Sequence, residues 1–133
     1  LMSAPVVIGS NVKIPVSATD KVIYLFSSTM AAGSTIILNE SSSNTAYTVP
    51  VGRKLLIVQY QITVGHISTP TNWAKFWTSG GILINHFDLF HTNADAYVII
   101  VDGYTEVAAG NTVNYEDSWA GSTAQVLGVE TDV

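Results

Sequence analysis

Residues 46–64, AYTVPVGRKLLIVQYQITV, constrain the chain more than any other stretch. Pro50 fixes φ near −65° and Gly52 tolerates a positive φ, so Pro50-Val51-Gly52 predicts a reversal between Val49 and Lys54. A long strand is expected after it. Leu56, Val58, Tyr60, Ile62 and Val64 alternate on one face, with Leu55, Ile57, Gln59, Gln61 and Thr63 on the other. Period-2 alternation rich in β-branched and aromatic residues is the pattern of a half-buried antiparallel strand. The second face is apolar at Leu55 and Ile57 and polar beyond, so the edge of a partner is expected at that boundary.

The remainder reads the same way. Residues 5–8 and 11–16 predict short edge strands, because Pro5 and Pro15 cannot donate to a ladder. Residues 22–26, 35–39, 73–78, 82–90, 97–101, 104–107, 112–119 and 125–130 supply further strands. Asp102-Gly103 is expected to turn a hairpin, and Gly80-Gly81 argues against a helix over 75–91. Short strands with turn signals every 8–12 residues predict an all-β, antiparallel fold, either a two-sheet β-sandwich or a barrel. At 133 residues it should be a single domain over residues 1–133, with 1–8 as an N-terminal arm. Three segments, 30–36, 49–55 and 107–113, share one template centred on Gly33, Gly52 and Gly110, as strand pairs joined by the same glycine-dependent turn would.

Composition sharpens the functional side. Only 11% of residues are charged, against about 25% in an average domain. So low a surface charge is easier to reconcile with a chain buried in an assembly, or with a lectin-like module, than with a lone monomer. The net charge of −5 and the scatter of Lys13, Lys21, Arg53, Lys54 and Lys75 leave no basic stripe for nucleic acid. No apolar run reaches the roughly 18 residues of a membrane span. With no cysteine, disulfides, thiolate metal sites and a cysteine nucleophile are excluded.

The turn Tyr47-Thr48-Val49-Pro50-x-Gly52-Arg53-x-Leu55, the turn Val107-x-Ala109-Gly110-Asn111-Thr112-Val113 and the strand Val126-x-Gly128-Val129-Glu130 together carry a resemblance. They resemble the small jelly-roll domains of bacteriophage virion proteins, of the capsid decoration and head or tail fibre type. The resemblance spans roughly residues 45–64 and 97–130 and does not account for the aromatic centre at 73–90. It implies a jelly-roll sandwich, frequently trimeric, located in the virion and bound to other virion subunits or to surface glycans.

No motif announces a reaction. There is no G-x-S-x-G elbow, phosphate loop or H-E-x-x-H, and nothing selects a carboxylate pair from Asp88, Asp95, Asp102, Glu106 and Glu116. A non-enzymatic protein without a cofactor is expected. His86-x-Asp88-x-x-His91 alone has metal-ligand residue types; on a regular strand His86 and Asp88 share a face and His91 does not. Apolar and aromatic strands point instead to contact surfaces. The expected interface is Leu55, Ile57, Trp73, Phe76, Trp77, Tyr97 and Ile99, in a homotrimer that binds a viral shell or tail protein, with residues 1–7 as a tether. Strand 97–101 has no polar residue on either face and should be dry on both. The alternative is a carbohydrate-binding or adhesin domain in which Trp73, Trp77, Tyr104 and Trp119 stack on sugars.

Overall fold

The computed structural model describes residues 6–8, 12–14, 17–27, 33, 35–65, 71–90, 97–118 and 121–133. They form twelve strands and no helix: β1 (Val6–Ile8), β2 (Val12–Ile14), β3 (Lys21–Phe26), β4 (Thr35–Ile37), β5 (Asn39–Glu40), β6 (Thr45–Ala46), β7 (Arg53–Val64), β8 (Thr71–Thr78), β9 (Leu83–Phe90), β10 (Tyr97–Val107), β11 (Val113–Asp117) and β12 (Ser122–Asp132). Two antiparallel sheets face each other in a β-sandwich. One runs β10-β7-β12-β3-β5-β6 and the other β4-β11-β8-β9, while β1 and β2 pair only with each other. Residues 1–5 of the expected arm lie outside the described residues.

The longest strand is β7, as the alternation predicted, and it lies between β10 and β12. Its expected hairpin partner is elsewhere. Thr45–Ala46 pairs with β5 at the far edge of the sheet, and Val49 bonds instead to the turn at 108–111, donating to the Asn111 carbonyl and accepting from Gly110 N–H. The reversal itself is present: Arg53 N–H donates to the Pro50 carbonyl over 3.1 Å, and Gly52 has φ 76°. Gly33 and Gly110 take the same left-handed conformation, at φ 77° and 83°. The shared template therefore places its glycine in the left-handed region each time, and the turns at Gly52 and Gly110 are hydrogen-bonded side by side through Val49.

Strand β7 changes face at Val58. Gln59 opposes Leu127 and Ile57 opposes Gly128, so one step along β12 matches two along β7. This β-bulge inverts the parity of everything after it. Leu55 and Ile57 before it, and Tyr60, Ile62 and Val64 after it, all enter the core. The apolar-to-polar boundary expected from a partner's edge is thus made inside the chain. A second irregularity falls at Asp102/Thr105 on β10. The expected hairpin at Asp102-Gly103 does not form; β10 continues through it as an edge strand. Gly103 lies close over the Tyr60 ring, which a Cβ there would approach to 3.3 Å.

Aromatic rings join the sheets. Tyr60 from the larger sheet lies 5.0 Å from Phe76, which lies 5.1 Å from Tyr115 and 6.0 Å from Phe87, in tilted and edge-on arrangements that suit ring quadrupoles. Buried polar groups are matched. Asp117 on β11 accepts hydrogen bonds from Ser122 Oγ at 2.6 Å and from Gly33 N–H at 3.1 Å, tying the smaller sheet to the larger. Glu130 accepts from the Tyr47 hydroxyl and from Arg53 Nε, each at 3.0 Å. These contacts matter because a buried carboxylate without partners would be strongly destabilising.

Candidate functional site

The two outer faces of the sandwich differ in chemistry. On the larger sheet, register builds rows that cross four strands: Phe26, Gln125, Gln61 and Ile100 in one, Tyr24, Leu127, Gln59 and Asp102 in the next. Tyr24 donates its hydroxyl to Gln125 Oε1 at 2.8 Å, and Gln59 donates to Asp102 over 3.3 Å. The centre is a shallow depression lined by Tyr24, Gln59, Gln61, Gln125 and Leu127, without a formal charge. Ion pairing is displaced to one end, where Lys54 meets Glu106 at 3.1 Å.

Apolar side chains remain in solvent around that centre. Val22 is 55% exposed, Val98 52%, Ile100 59% and Tyr104 63%, and Tyr24 is also exposed. Strand β10 alternates strictly, with odd residues inward and even residues outward. Tyr97 and Ile99 consequently pack against the core, while Val98 and Ile100 lie bare. Being dry on both faces was the expectation for this strand; within the chain it is dry on one.

The smaller sheet carries Trp73, Lys75 and Trp77 outward from β8, flanked in register by Glu116 and Asn114 of β11 and by His86 and Asp88 of β9. Lys75 Nζ lies 4.3 Å from the centroid of the Trp73 ring and 5.8 Å from that of Trp77. The Trp77 indole N–H donates to Glu116 Oε1 at 3.1 Å. Beside it runs an open groove of about 370 Å³ lined by Thr35, Trp77, Thr78, Ser79, Gly81, Asn114 and Glu116.

The residues singled out from sequence separate accordingly. Leu55, Ile57 and Phe76 are fully buried core residues with no surface to offer a partner; the bulge at Val58 moved the first two inward. Tyr97 and Ile99 face the core as well. Trp73 and Trp77 share the outer face of the smaller sheet. Tyr104 is exposed on the other sheet, so it does not join them, and Trp119 lies outside the described residues. His86 and Asp88 share a face and are bonded at 2.8 Å, while His91 lies outside the described residues. Among the described residues no group of three His, Cys, Asp or Glu side chains could hold a metal ion. Val22, Tyr24, Val98 and Ile100 are exposed without being among the residues the sequence singles out; the run 97–101 is apolar on both faces, so alternation by itself does not say which face stays outward.

No protein-family model matches the chain, and no curated protein matches it. Solved structures do. The globular domain of zebrafish complement 1qA protein is similar with a TM-score of 0.52 at 10% identity, over 80% of this chain and 94% of that one. A protein of the Bacillus endospore appendages, described as a novel family of disulfide-linked pili, has a TM-score of 0.41 at 10% identity, over 86% and 88% of the two chains. The fold is a two-sheet sandwich of jelly-roll type. At this identity the likeness concerns the backbone alone.

Proposed function

We propose that this chain is a non-enzymatic structural protein that self-associates through the outer face of its larger sheet. The observation that carries the reading is the clustering of Val22, Tyr24, Val98, Ile100 and Tyr104, exposed on that sheet. Fully burying side chains of this size is worth about 1.5–3 kcal/mol each, and roughly half of that is still to be gained here. The favoured partner is a second copy. Gln59, Gln61 and Gln125 at the centre both donate and accept, so they can hydrogen-bond to the same uncharged groups or to the backbone edge of another copy. Among the described residues β10 is an edge strand of that sheet, and an exposed edge of this length invites further pairing.

Following the resemblance to phage jelly rolls, we take the assembly to be a homotrimer in the virion, where it decorates or cements the capsid by binding a shell protein. The 133 residues act as one sandwich domain with the N-terminal arm as tether. Binding to the assembled shell stabilises the particle by mass action. The test is sedimentation at micromolar concentration. A mass of three times 14.2 kDa is expected, falling to the monomer in Ile100→Asp; a wild-type chain that sediments as a monomer sinks the proposal. For the virion, the chain should be present in purified particles, and particles stripped of it should rupture at lower temperature.

A further inference from the structure

The outer face of the smaller sheet has a different composition and takes no part in the self-association face. We propose that Trp73, Lys75, Trp77, Asn114 and Glu116 form a binding site for a neutral oligosaccharide laid along β8. The two indoles sit on one face of one strand, with Lys75 Nζ 4.3 Å from one ring centroid and 5.8 Å from the other. The rings therefore lie within about 10 Å of each other at a strand spacing of four residues, which suits successive sugars of a chain better than one ring. Aromatic rings offer a flat apolar surface to the C–H face of a pyranose, and their polar edges bond outward.

The hydrogen-bonding groups beside the rings complement sugar hydroxyls, which both donate and accept. Glu116 gives Oε1 to the Trp77 indole and keeps its second oxygen as an acceptor. Asn114 takes the Thr112 hydroxyl on Oδ1, and its amide N–H groups bond to none of the described residues. The Lys75 ammonium lies against the Trp rings and pairs with no carboxylate among the described residues. The groove of about 370 Å³ beside Trp77 is lined by Thr35, Ser79 and Asn114 and has room for a sugar unit. Charge decides the ligand class. Lys75 and Glu116 offset each other at the site, and a chain of net charge −5 repels acidic glycans. The platform is also preorganised, since the indole–carboxylate bond holds Trp77 before any ligand arrives.

The experiment is a printed array of neutral and acidic oligosaccharides probed with the whole chain, followed by calorimetric titration of the strongest neutral hit. Binding to a neutral oligosaccharide is expected, weakened at least about tenfold by Trp73→Ala and by Trp77→Ala, and unchanged by Ile100→Asp on the opposite sheet. Asn114→Ala and Glu116→Gln retain both indoles and should also weaken binding, so the site stays testable should a tryptophan variant fail to fold. Three results overturn the proposal: no glycan retained, acidic glycans alone retained, or tryptophan variants that change the sedimenting mass while leaving glycan binding intact. The last would make this face a protein interface. Sedimentation of the same samples reports separately on the trimer.

Discussion

At Gly128 an added Cβ would lie 2.8 Å from the Leu56 carbonyl oxygen and 3.0 Å from Leu55 Cδ1, whereas at Gly52 it would meet nothing within 4 Å. The two glycines are therefore required for different reasons, space at one and a φ of 76° at the other. Gly128→Ala should destabilise by about 1–3 kcal/mol through overpacking against backbone that cannot withdraw. Gly52→Ala should cost about 1–2 kcal/mol, the left-handed penalty of an L-residue. Urea denaturation measures both, and a Gly128→Ala chain as stable as wild type would contradict the close approach. The tyrosines add a pH dependence. Burial first, then the hydrogen bond and negative charge of Glu130, hold the Tyr47 hydroxyl well above its ordinary value of 10. Burial also raises Tyr115, with the Asp117 charge adding to it and the Ser122 bond opposing. A folded pKa above the unfolded one means stability that is complete below pH 10 and is lost as pH climbs beyond it. Urea midpoints should fall above about pH 10, and less steeply in Tyr115→Phe; a flat profile would contradict this.

Among the elements, β7 depends on one inserted residue. Its extra position at Val58 lets Leu55 and Ile57 share the core with Tyr60, Ile62 and Val64. Inserting one alanine after Val58 would shift the parity again and send one of the two sets to the outer face, because a one-residue slip inverts every following side chain. The insertion variant should lose its cooperative thermal transition by circular dichroism; a sharp transition near the wild-type temperature would show that the added residue can be absorbed elsewhere. The same strand shows why part of the core was hidden. Strict alternation assigns Leu55 and Ile57 to the face of Gln59 and Gln61, and no local residue signals the bulge, since Val58 is an ordinary strand former.

For the whole molecule, self-association ties stability to concentration. If copies cover Val98, Ile100 and Tyr24, the melting temperature should rise as protein concentration is raised, each 1 kcal/mol being about 3–5 °C in a chain of this size. Ile100→Asp should abolish the dependence, and a wild-type melting temperature that stays constant over a hundredfold concentration range would argue for a monomer. With the larger sheet so occupied, the Trp73–Trp77 face would remain outward, free for a ligand. Structural and binding roles then occupy opposite sides of one sandwich.

The local pattern alone determined the all-β class, the length of β7, the positive φ of Gly33, Gly52 and Gly110, and the strands on either side of Gly80-Gly81, because strand period, turn chemistry and glycine φ are properties of neighbouring residues. It also placed Trp73 with Trp77 and His86 with Asp88, which alternation puts on shared faces. Tertiary structure decided the rest. Val49 bonds to Asn111 and not back along β7, β10 runs through Asp102-Gly103 without turning, and the inward set of β10 is Tyr97 and Ile99 and not Val98 and Ile100. Each of these is a choice between locally equivalent alternatives, and each is settled by which distant strand supplies the hydrogen bonds and which face finds the other sheet.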